Sequence, residues 1–248
     1  MEIWKLKTIA NSYSETKDFR FNNYVVNPHV ENLIGNVEGK SLLEIGCGFG
    51  RYLEIFYREN PSKLIGCDIS AHQIESCRGN LDNKDIGLHV LDFCNLKAPT
   101  ILGENEYDVV YTIFVILYID TIDKLNAFIT NCYKCLKKGG KVFICTLDIL
   151  SASYYPEVFN ILKFAAKPLN NNEYNDGSPI QISITDDCIV TSYHRNFDTL
   201  KQLMGVVGFK NVKKHNLFLD EIALQAFSSE ELSIIKKSDI LTLIEAEK

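Results

Sequence analysis

The sequence predicts an α/β protein built on a mainly parallel, doubly wound sheet. Apolar runs of strand length alternate with stretches of helical apolar spacing between residues 41 and 147, and this alternation is typical of a parallel sheet covered on both faces. The first run, at residues 41–45, leads directly into Gly46, Gly48 and Gly50, and a helical pattern begins at Arg51. A strand, a glycine turn and a helix in this order form a ligand-binding edge of such a sheet.

The further strands are predicted from apolar runs that end in polar or acidic residues. They lie at residues 63–68, at 86–91, from Tyr107 onward and at 141–147, with helices between them. The longest of these helices is predicted to run from Asp123 to Leu136. Because ligands bind beyond the carboxyl ends of parallel strands, residues at these strand ends are the first candidates for a site.

Three acidic residues occupy such strand ends. Glu44 precedes the glycine turn, where it would repel a phosphate and would suit an ammonium or sulfonium group. Asp68 follows the turn by about 20 residues, the position that binds ribose hydroxyls in nucleoside sites. Asp92 can accept from an exocyclic amine such as that of adenine, and Phe93 can pack on the ring. The glycine spacing G-x-G-x-G differs from both the dinucleotide pattern and the P-loop.

The pattern changes after Asp148. Residues 149–180 contain tyrosines, asparagines and prolines, and helical spacing continues through Leu162 to Ala165. Residues 180–184 and 188–193 alternate as an antiparallel pair. The remaining elements are predicted as a helix at 198–207, a strand at 212–219, a helix to Lys237 and a last strand at 240–244. The segment before residue 40 is rich in aromatic residues and suits a lid or a covering helix.

Composition limits the classes of partner. The net charge of −6 gives no general attraction to nucleic acid or to an anionic membrane. The sequence has no run of 18 apolar residues and no signal-peptide core, so a cytoplasmic location is expected. The eight cysteines are expected to be reduced, and Cys132-x-x-Cys135 has no second pair or nearby histidine, so no metal site is predicted.

The motifs together resemble those of the class I S-adenosylmethionine-dependent methyltransferases. The matching pieces are Glu44-Ile-Gly-Cys-Gly-Phe-Gly50, Gly66-Cys-Asp68, Leu91-Asp92-Phe93, Tyr107-Asp108 through Tyr118-Ile119, Leu136-Lys-Lys-Gly-Gly-Lys141 and Gly205-Val-Val-Gly-Phe209. The resemblance implies a Rossmann-like sheet of seven strands with the last antiparallel. Within the family, the aromatic N-terminal segment is similar to that of toxoflavin synthase-like small-molecule methyltransferases.

A single methyltransferase domain over residues 1–248 is therefore expected. Its parts are an N-terminal lid at residues 1–39, a cofactor-binding core at 40–148, a substrate-cap insertion at 149–195, and a C-terminal helix and strand hairpin at 196–248 that completes the sheet.

The resemblance also implies the residues that hold S-adenosylmethionine. They are Arg20, Glu44, Gly46, Gly48, Gly50, Asp68, Ile69, Asp92, Phe93, Thr112 and Phe114. Arg20 would reach the cofactor carboxylate from the lid, Ile69 would lie against adenine, and Thr112 and Phe114 would line the methionine side. The candidates for the substrate pocket are tyrosines: Tyr13, Tyr24, Tyr118, Tyr154 and Tyr193. His194 is the candidate general base, and a half-exposed strand histidine is the alternative.

The predicted function is methyl transfer to nitrogen or oxygen of a small-molecule acceptor, with aromatic and heterocyclic molecules among the candidates. The alternative is a non-catalytic module that binds S-adenosylmethionine or a partner on the same fold. An NAD-dependent oxidoreductase is disfavoured by the glycine spacing. The signature Asn/Asp-Pro-Pro-Tyr of amino-methylating nucleic-acid enzymes is absent after the fourth strand, so no nucleic acid and no membrane partner are expected. A monomer or a homodimer is compatible with the sequence.

Overall fold

A computed structural model describes residues 4, 7–9, 20–82, 84–169, 175–185 and 188–248 of the chain. The strands are β1 Ser41–Ile45, β2 Lys63–Asp68, β3 Gly87–Val90, β4 Tyr107–Ile113, β5 Leu136–Leu147, β6 Ala165–Pro168, β7 Pro179–Thr185, β8 Cys188–Tyr193, β9 Lys210–His215 and β10 Leu241–Glu247. Within the described residues, one sheet has seven strands in the order β3-β2-β1-β4-β5-β10-β9, and a second has the order β6-β7-β8.

The large sheet is parallel from β1 to β5, and β10 runs antiparallel to both of its neighbours. All five residues of β1 are buried, as a central strand covered on both faces requires. The consecutive residues Leu42 and Leu43 belong to different apolar cores, which places one core on each face of the sheet. The predicted doubly wound, Rossmann-like sheet of seven strands is confirmed.

The helices are α1 Asn27–Ile34, α2 Arg51–Tyr57, α3 Ala71–Asn80, α4 Ala98–Leu102, α5 Ile122–Cys135, α6 Ile149–Ser153, α7 Glu157–Leu162, α8 Phe197–Val207, α9 Glu221–Ala226 and α10 Ser229–Ser238. A π-helical turn, Asn22–Val26, leads into α1. Side-chain caps fix several helix starts, because Ser70, Thr121 and Asn196 each accept from the backbone N–H three residues further on. The cap at Ser70 fixes the chain direction directly after the acidic end of β2.

The insertion after β5 contains the predicted antiparallel pair, with Ile182 of β7 opposite Val190 of β8. The expected helical continuation to Ala165 is wrong. Helix α7 ends at Leu162, because Lys163 adopts a left-handed conformation with φ of 56° that the helix cannot continue through. Ala165 then begins β6, which pairs with β7.

The predicted strand at residues 212–219 is wrong at its end. The strand β9 stops at His215, and the N–H of Phe218 donates to Nδ1 of His29 at 2.9 Å instead of joining the sheet. Helix α9 then follows, capped by Asp220. This loop therefore packs on α1, which lies 189 positions earlier in the chain.

The N-terminal segment is held beside the glycine turn by two hydrogen bonds. Nη1 of Arg51 donates to Oδ1 of Asn23 at 3.0 Å, and the Tyr52 hydroxyl donates to Oδ1 of Asn27 at 2.9 Å. Both donors lie in the first turn of α2, so residues 20–34 cover the helix that follows the turn. The division into lid, core, insertion and C-terminal part stays a prediction.

None of the helices formed by the described residues has the length and apolar character needed to cross a membrane. The same residues contain no group of three or more His, Cys, Asp or Glu side chains placed to hold a metal ion.

Candidate functional site

The turn after β1 brings bare main chain to the carboxyl edge of the sheet. Gly46 has φ of 73°, and a Cβ at this position would lie 2.2 Å from Cγ2 of Val115. The backbone angle and the contact both require glycine. At Gly48, with φ of 55°, a Cβ would approach Oε1 of Gln73 only to 4.0 Å, so this residue opens onto a cavity. A ligand can therefore lie directly against the backbone there.

The carboxylate of Asp68 is oriented by the same turn. Its Oδ2 accepts from the N–H of Gly48 at 3.0 Å, and its Oδ1 accepts from the N–H of Ser70 at 2.8 Å. Burial raises the pKa of Asp68, and these two hydrogen bonds oppose that shift. Each carboxylate oxygen has a second lone pair, so the fixed group can still accept from two neighbouring hydroxyls.

Glu44 lies deeper in the site. Its side chain is 2% exposed, and its Oε2 accepts from the Tyr111 hydroxyl at 3.2 Å. Burial raises the pKa of Glu44 well above its usual range. A cation in the neighbouring cavity would favour the ionised form of this carboxyl, because an opposite charge offsets the cost of desolvation.

The loop after β3 forms the other end of the site. Oδ1 of Asp92 accepts from the N–H of Cys94 at 2.9 Å. The Phe93 ring packs edge-on against Phe128, with 5.2 Å between the ring centroids. The Asn131 amide donates to the Phe93 carbonyl at 2.8 Å, so α5 fixes the shape of this loop.

Three adjoining cavities occupy this edge of the sheet. The first measures about 680 Å³ with its opening to solvent, and Asp68, Ile69, Asp92 and Phe93 line it. The second, of about 550 Å³, lies beneath the insertion and the N-terminal segment. The third, of about 440 Å³, extends past Glu44 to Arg51. Gly46 and Gly48 line both the first and the third cavity, so an elongated ligand can cross the glycine turn from one to the other.

Phe114 lines all three cavities. It follows β4 directly and has φ of 57°, a left-handed conformation that is unfavourable for a residue with a Cβ. Its N–H donates to the Cys145 carbonyl at 2.8 Å, which ties this conformation to β5. Strained residues of this kind are concentrated at functional sites. Here the left-handed conformation places Phe114 where the three cavities meet.

Nine of the predicted residues line the cavities. They are Glu44, Gly46, Gly48, Asp68, Ile69, Asp92, Phe93, Phe114 and Tyr118. Gly50 is instead the N-cap residue of α2. The Thr112 side chain is buried, and its hydroxyl donates to the Ile45 carbonyl at 3.0 Å, so it joins β4 to β1.

Arg20 and His194 do not line these cavities. The Arg20 guanidinium lies 3.4 Å from Oε1 of Glu231 and 4.4 Å from the centroid of the Phe227 ring, on the side of α10. His194 is 3% exposed, and its two ring nitrogens have no hydrogen-bond partner among the described residues. Burial lowers the pKa of His194. The structure gives no support to the roles predicted for these two residues, which stay predictions.

Three of the other predicted tyrosines, Tyr24, Tyr154 and Tyr193, also lie outside the three cavities. Tyr154 is 73% exposed, whereas Tyr24 and Tyr193 are half-buried. Tyr13 falls outside the described residues.

Two polar residues of the third cavity, Asn22 and Arg51, were missed at the sequence level. The position of Arg51, directly after the last glycine of the turn, is a signal that could have found it, because the first helical residue there faces the same edge. Asn22 carries no such signal, since its place depends on how the N-terminal segment packs.

The residues present fit S-adenosylmethionine. Asp68 and Asp92 supply acceptors for ribose hydroxyls and an adenine amine, and they line one cavity. Glu44, whose ionised form an ammonium group in the cavity would favour, and the Arg51 guanidinium line the third cavity near the opposite end, as an amino acid group requires. The open position at Gly48 lies between them.

Comparison with known proteins also indicates a methyltransferase domain. Residues 43–144 match the family model described as a methyltransferase domain. The chain is 32% identical over 109 residues to the tRNA N(3)-methylcytidine methyltransferase Mettl2 of Drosophila melanogaster, which is 42% of this chain and 33% of that protein. It is 26% identical over 153 residues to a ubiquinone biosynthesis O-methyltransferase of Idiomarina loihiensis, which is 59% of this chain and 60% of that protein.

A solved structure extends the likeness to the whole fold. The crystal structure of a putative S-adenosylmethionine-dependent methyltransferase from Listeria monocytogenes aligns with a TM-score of 0.65 at 16% identity, over 88% of this chain and 94% of that one. The first three curated relatives are matched over only 48%, 33% and 32% of their own length. The family match at residues 43–144 and the sheet order together show that the chain contains a methyltransferase domain with the fold of S-adenosylmethionine-dependent methyltransferases.

Proposed function

We propose that this protein transfers the methyl group of S-adenosylmethionine to nitrogen or oxygen of a small-molecule acceptor. The observation that carries the proposal is the second cavity. It adjoins the first cavity through Phe114 and Tyr118, which line both. An acceptor in the second cavity would therefore meet a donor that lies across the first and third cavities.

The donor would be held by residues from three strand ends. Asp68 would accept from the ribose hydroxyls, with its carboxylate already fixed by Gly48 and Ser70. Asp92 and Phe93 would hold the adenine. Glu44 would face the ammonium group, and Arg51 would face the carboxylate, in the place that the sequence suggested for Arg20.

The bound cofactor would supply an electrophilic methyl group on a sulfonium, whose departure as a neutral thioether needs no protonation. The protein's contribution is then to position the acceptor and to exclude water. Phe114 and Tyr118 are placed for this, because they separate the two cavities while leaving them adjacent. His194 lines none of these three cavities, so the described residues support the positioning role more directly than proton removal by this histidine.

The direct test is transfer of a labelled methyl group from S-adenosylmethionine to two acceptor pools, a small-molecule filtrate of cell extract and total tRNA. Label in the filtrate products alone is the expected result. Label in tRNA alone would overturn the proposal of a small-molecule acceptor. It would also show that the protein binds a polyanion despite its net charge of −6. Binding of the cofactor with no transfer to either pool would favour the non-catalytic alternative.

A further inference from the structure

The second cavity is almost wholly apolar. Four aromatic rings line it, those of Phe21, Phe114, Tyr118 and Phe164, and the rest of its wall is aliphatic except for Asn22. The insertion contributes aliphatic side chains such as Ile182 and Ile184 from β7. No charged side chain lines this cavity in the part of the chain that the structure describes.

The charged residues next to the lining residues in sequence point elsewhere. Arg20 precedes Phe21, but its guanidinium pairs with Glu231. Asp148 follows a lining leucine, but its Oδ1 accepts from the N–H of Ser151 at 2.9 Å and caps α6. Lys163 precedes Phe164 and is exposed, with the left-handed backbone that ends α7. An ion inside the cavity would therefore find no counter-charge from these neighbours.

We infer that the methyl acceptor is an uncharged, largely apolar molecule with a flat ring, held between the aromatic side chains of the second cavity. The inference rests on the proposed function, because it assigns the acceptor to the cavity beside the donor. Burying a carboxylate or a phosphate without a partner costs several kcal/mol, so an ionised acceptor is rejected. Flat rings are favoured because offset and edge-on aromatic contacts add to the gain from burial.

The geometry also gives the acceptor an orientation. Tyr118 and Phe114 stand at the boundary with the first cavity, whereas Ile182, Ile184 and Phe164 line the second cavity alone. The heteroatom that receives the methyl group would thus lie beside Tyr118, and the apolar end of the ring would lie against the insertion.

The test compares two phenols of similar shape that differ in charge, para-isopropylphenol and para-hydroxybenzoate. Their dissociation constants are measured by calorimetry with the protein saturated with S-adenosylhomocysteine. The wild type is expected to bind the isopropyl compound at least tenfold more tightly. Ile184→Lys places a cation in the wall and is expected to reduce that preference at least tenfold. Ile189→Lys is the matched control, because Ile189 is on the adjacent strand β8 and is 44% exposed.

Equal or tighter binding of the carboxylate by the wild type would overturn the inference. So would a folded Ile184→Lys protein with unchanged preference, or the failure of both phenols to bind the saturated protein. If Ile184→Lys does not fold, the comparison of the two phenols on the wild-type protein decides the inference. A protein that does not bind S-adenosylhomocysteine at all would instead refute the proposed function, and this is established before either phenol is added.

Discussion

The contact between Gly46 and Val115 allows a quantitative prediction, because the chain offers a matched control. Gly46→Ala introduces a Cβ at a residue with φ of 73°, where Cγ2 of Val115 would lie 2.2 Å away. Gly39→Ala introduces the same Cβ at φ of 70°, where nothing lies within 4 Å. The two variants share the backbone strain and differ in the steric overlap.

The magnitudes follow from these two terms. The left-handed backbone costs about 1–2 kcal/mol for a residue with a Cβ, and this is the whole expected loss for Gly39→Ala. Overpacking adds about 1–3 kcal/mol, so Gly46→Ala should lose about 2–5 kcal/mol of unfolding free energy. Val115 has few rotamers because it is β-branched, so the overlap displaces the loop that carries Phe114. We therefore expect weaker binding of S-adenosylhomocysteine for Gly46→Ala and unchanged binding for Gly39→Ala.

Urea unfolding separates the cost of backbone strain from the cost of overlap. It is measured for both variants and for Gly46→Ala combined with Val115→Ala. The double variant should recover the part due to overlap and retain the part due to strain, which appears as a coupling energy in the mutant cycle. Equal losses for Gly46→Ala and Gly39→Ala, with no coupling to Val115, would show that the overlap with Val115 does not contribute to the loss.

Two further predictions concern Asp68 and His29. Asp68→Asn should weaken S-adenosylhomocysteine binding by about tenfold or more in calorimetry, because a hydrogen bond to a charged group contributes about 1–3 kcal/mol. The control is Asp85→Asn, which should bind as the wild type does because Asp85 is exposed and lines none of the three cavities. Burial and the nearby His215 lower the pKa of His29 from 6.5 to about 4. The native state thus binds this proton more weakly than the unfolded chain, so the free energy of unfolding should fall between pH 6.5 and 4, by up to about 3 kcal/mol. The same titration of His29→Gln should be flatter, and an unchanged pH dependence would count against the assignment.

The core of the fold was predictable because its signals are local. Strands β1 and β2 are apolar runs predicted at residues 41–45 and 63–68, and the structure gives them the same bounds. The parallel order then places the ends of β1, β2 and β3 at one edge without further information. The cavity that contains both Asp68 and Asp92 follows from that topology.

The remaining features depend on contacts between distant parts of the chain. The hydrogen bond from Phe218 to His29 ends β9 early, and it joins residues that are 189 positions apart. Arg20 pairs with Glu231 across a similar distance, so no local pattern could separate that role from a role at the cofactor. Asn22 enters the third cavity only through the packing of the N-terminal segment, and for the same reason it was missed.

The most direct test of the account is a crystal structure of the protein with S-adenosylhomocysteine. We expect the ribose hydroxyls at hydrogen-bonding distance from the Asp68 carboxylate, the adenine beside Ile69 and Phe93, and the amino acid end past Gly48 towards Glu44 and Arg51. The sulfur atom should face the second cavity beside Phe114. A ligand bound elsewhere would contradict the proposed cofactor site, and a sulfur that faces away from the second cavity would contradict the proposed acceptor site.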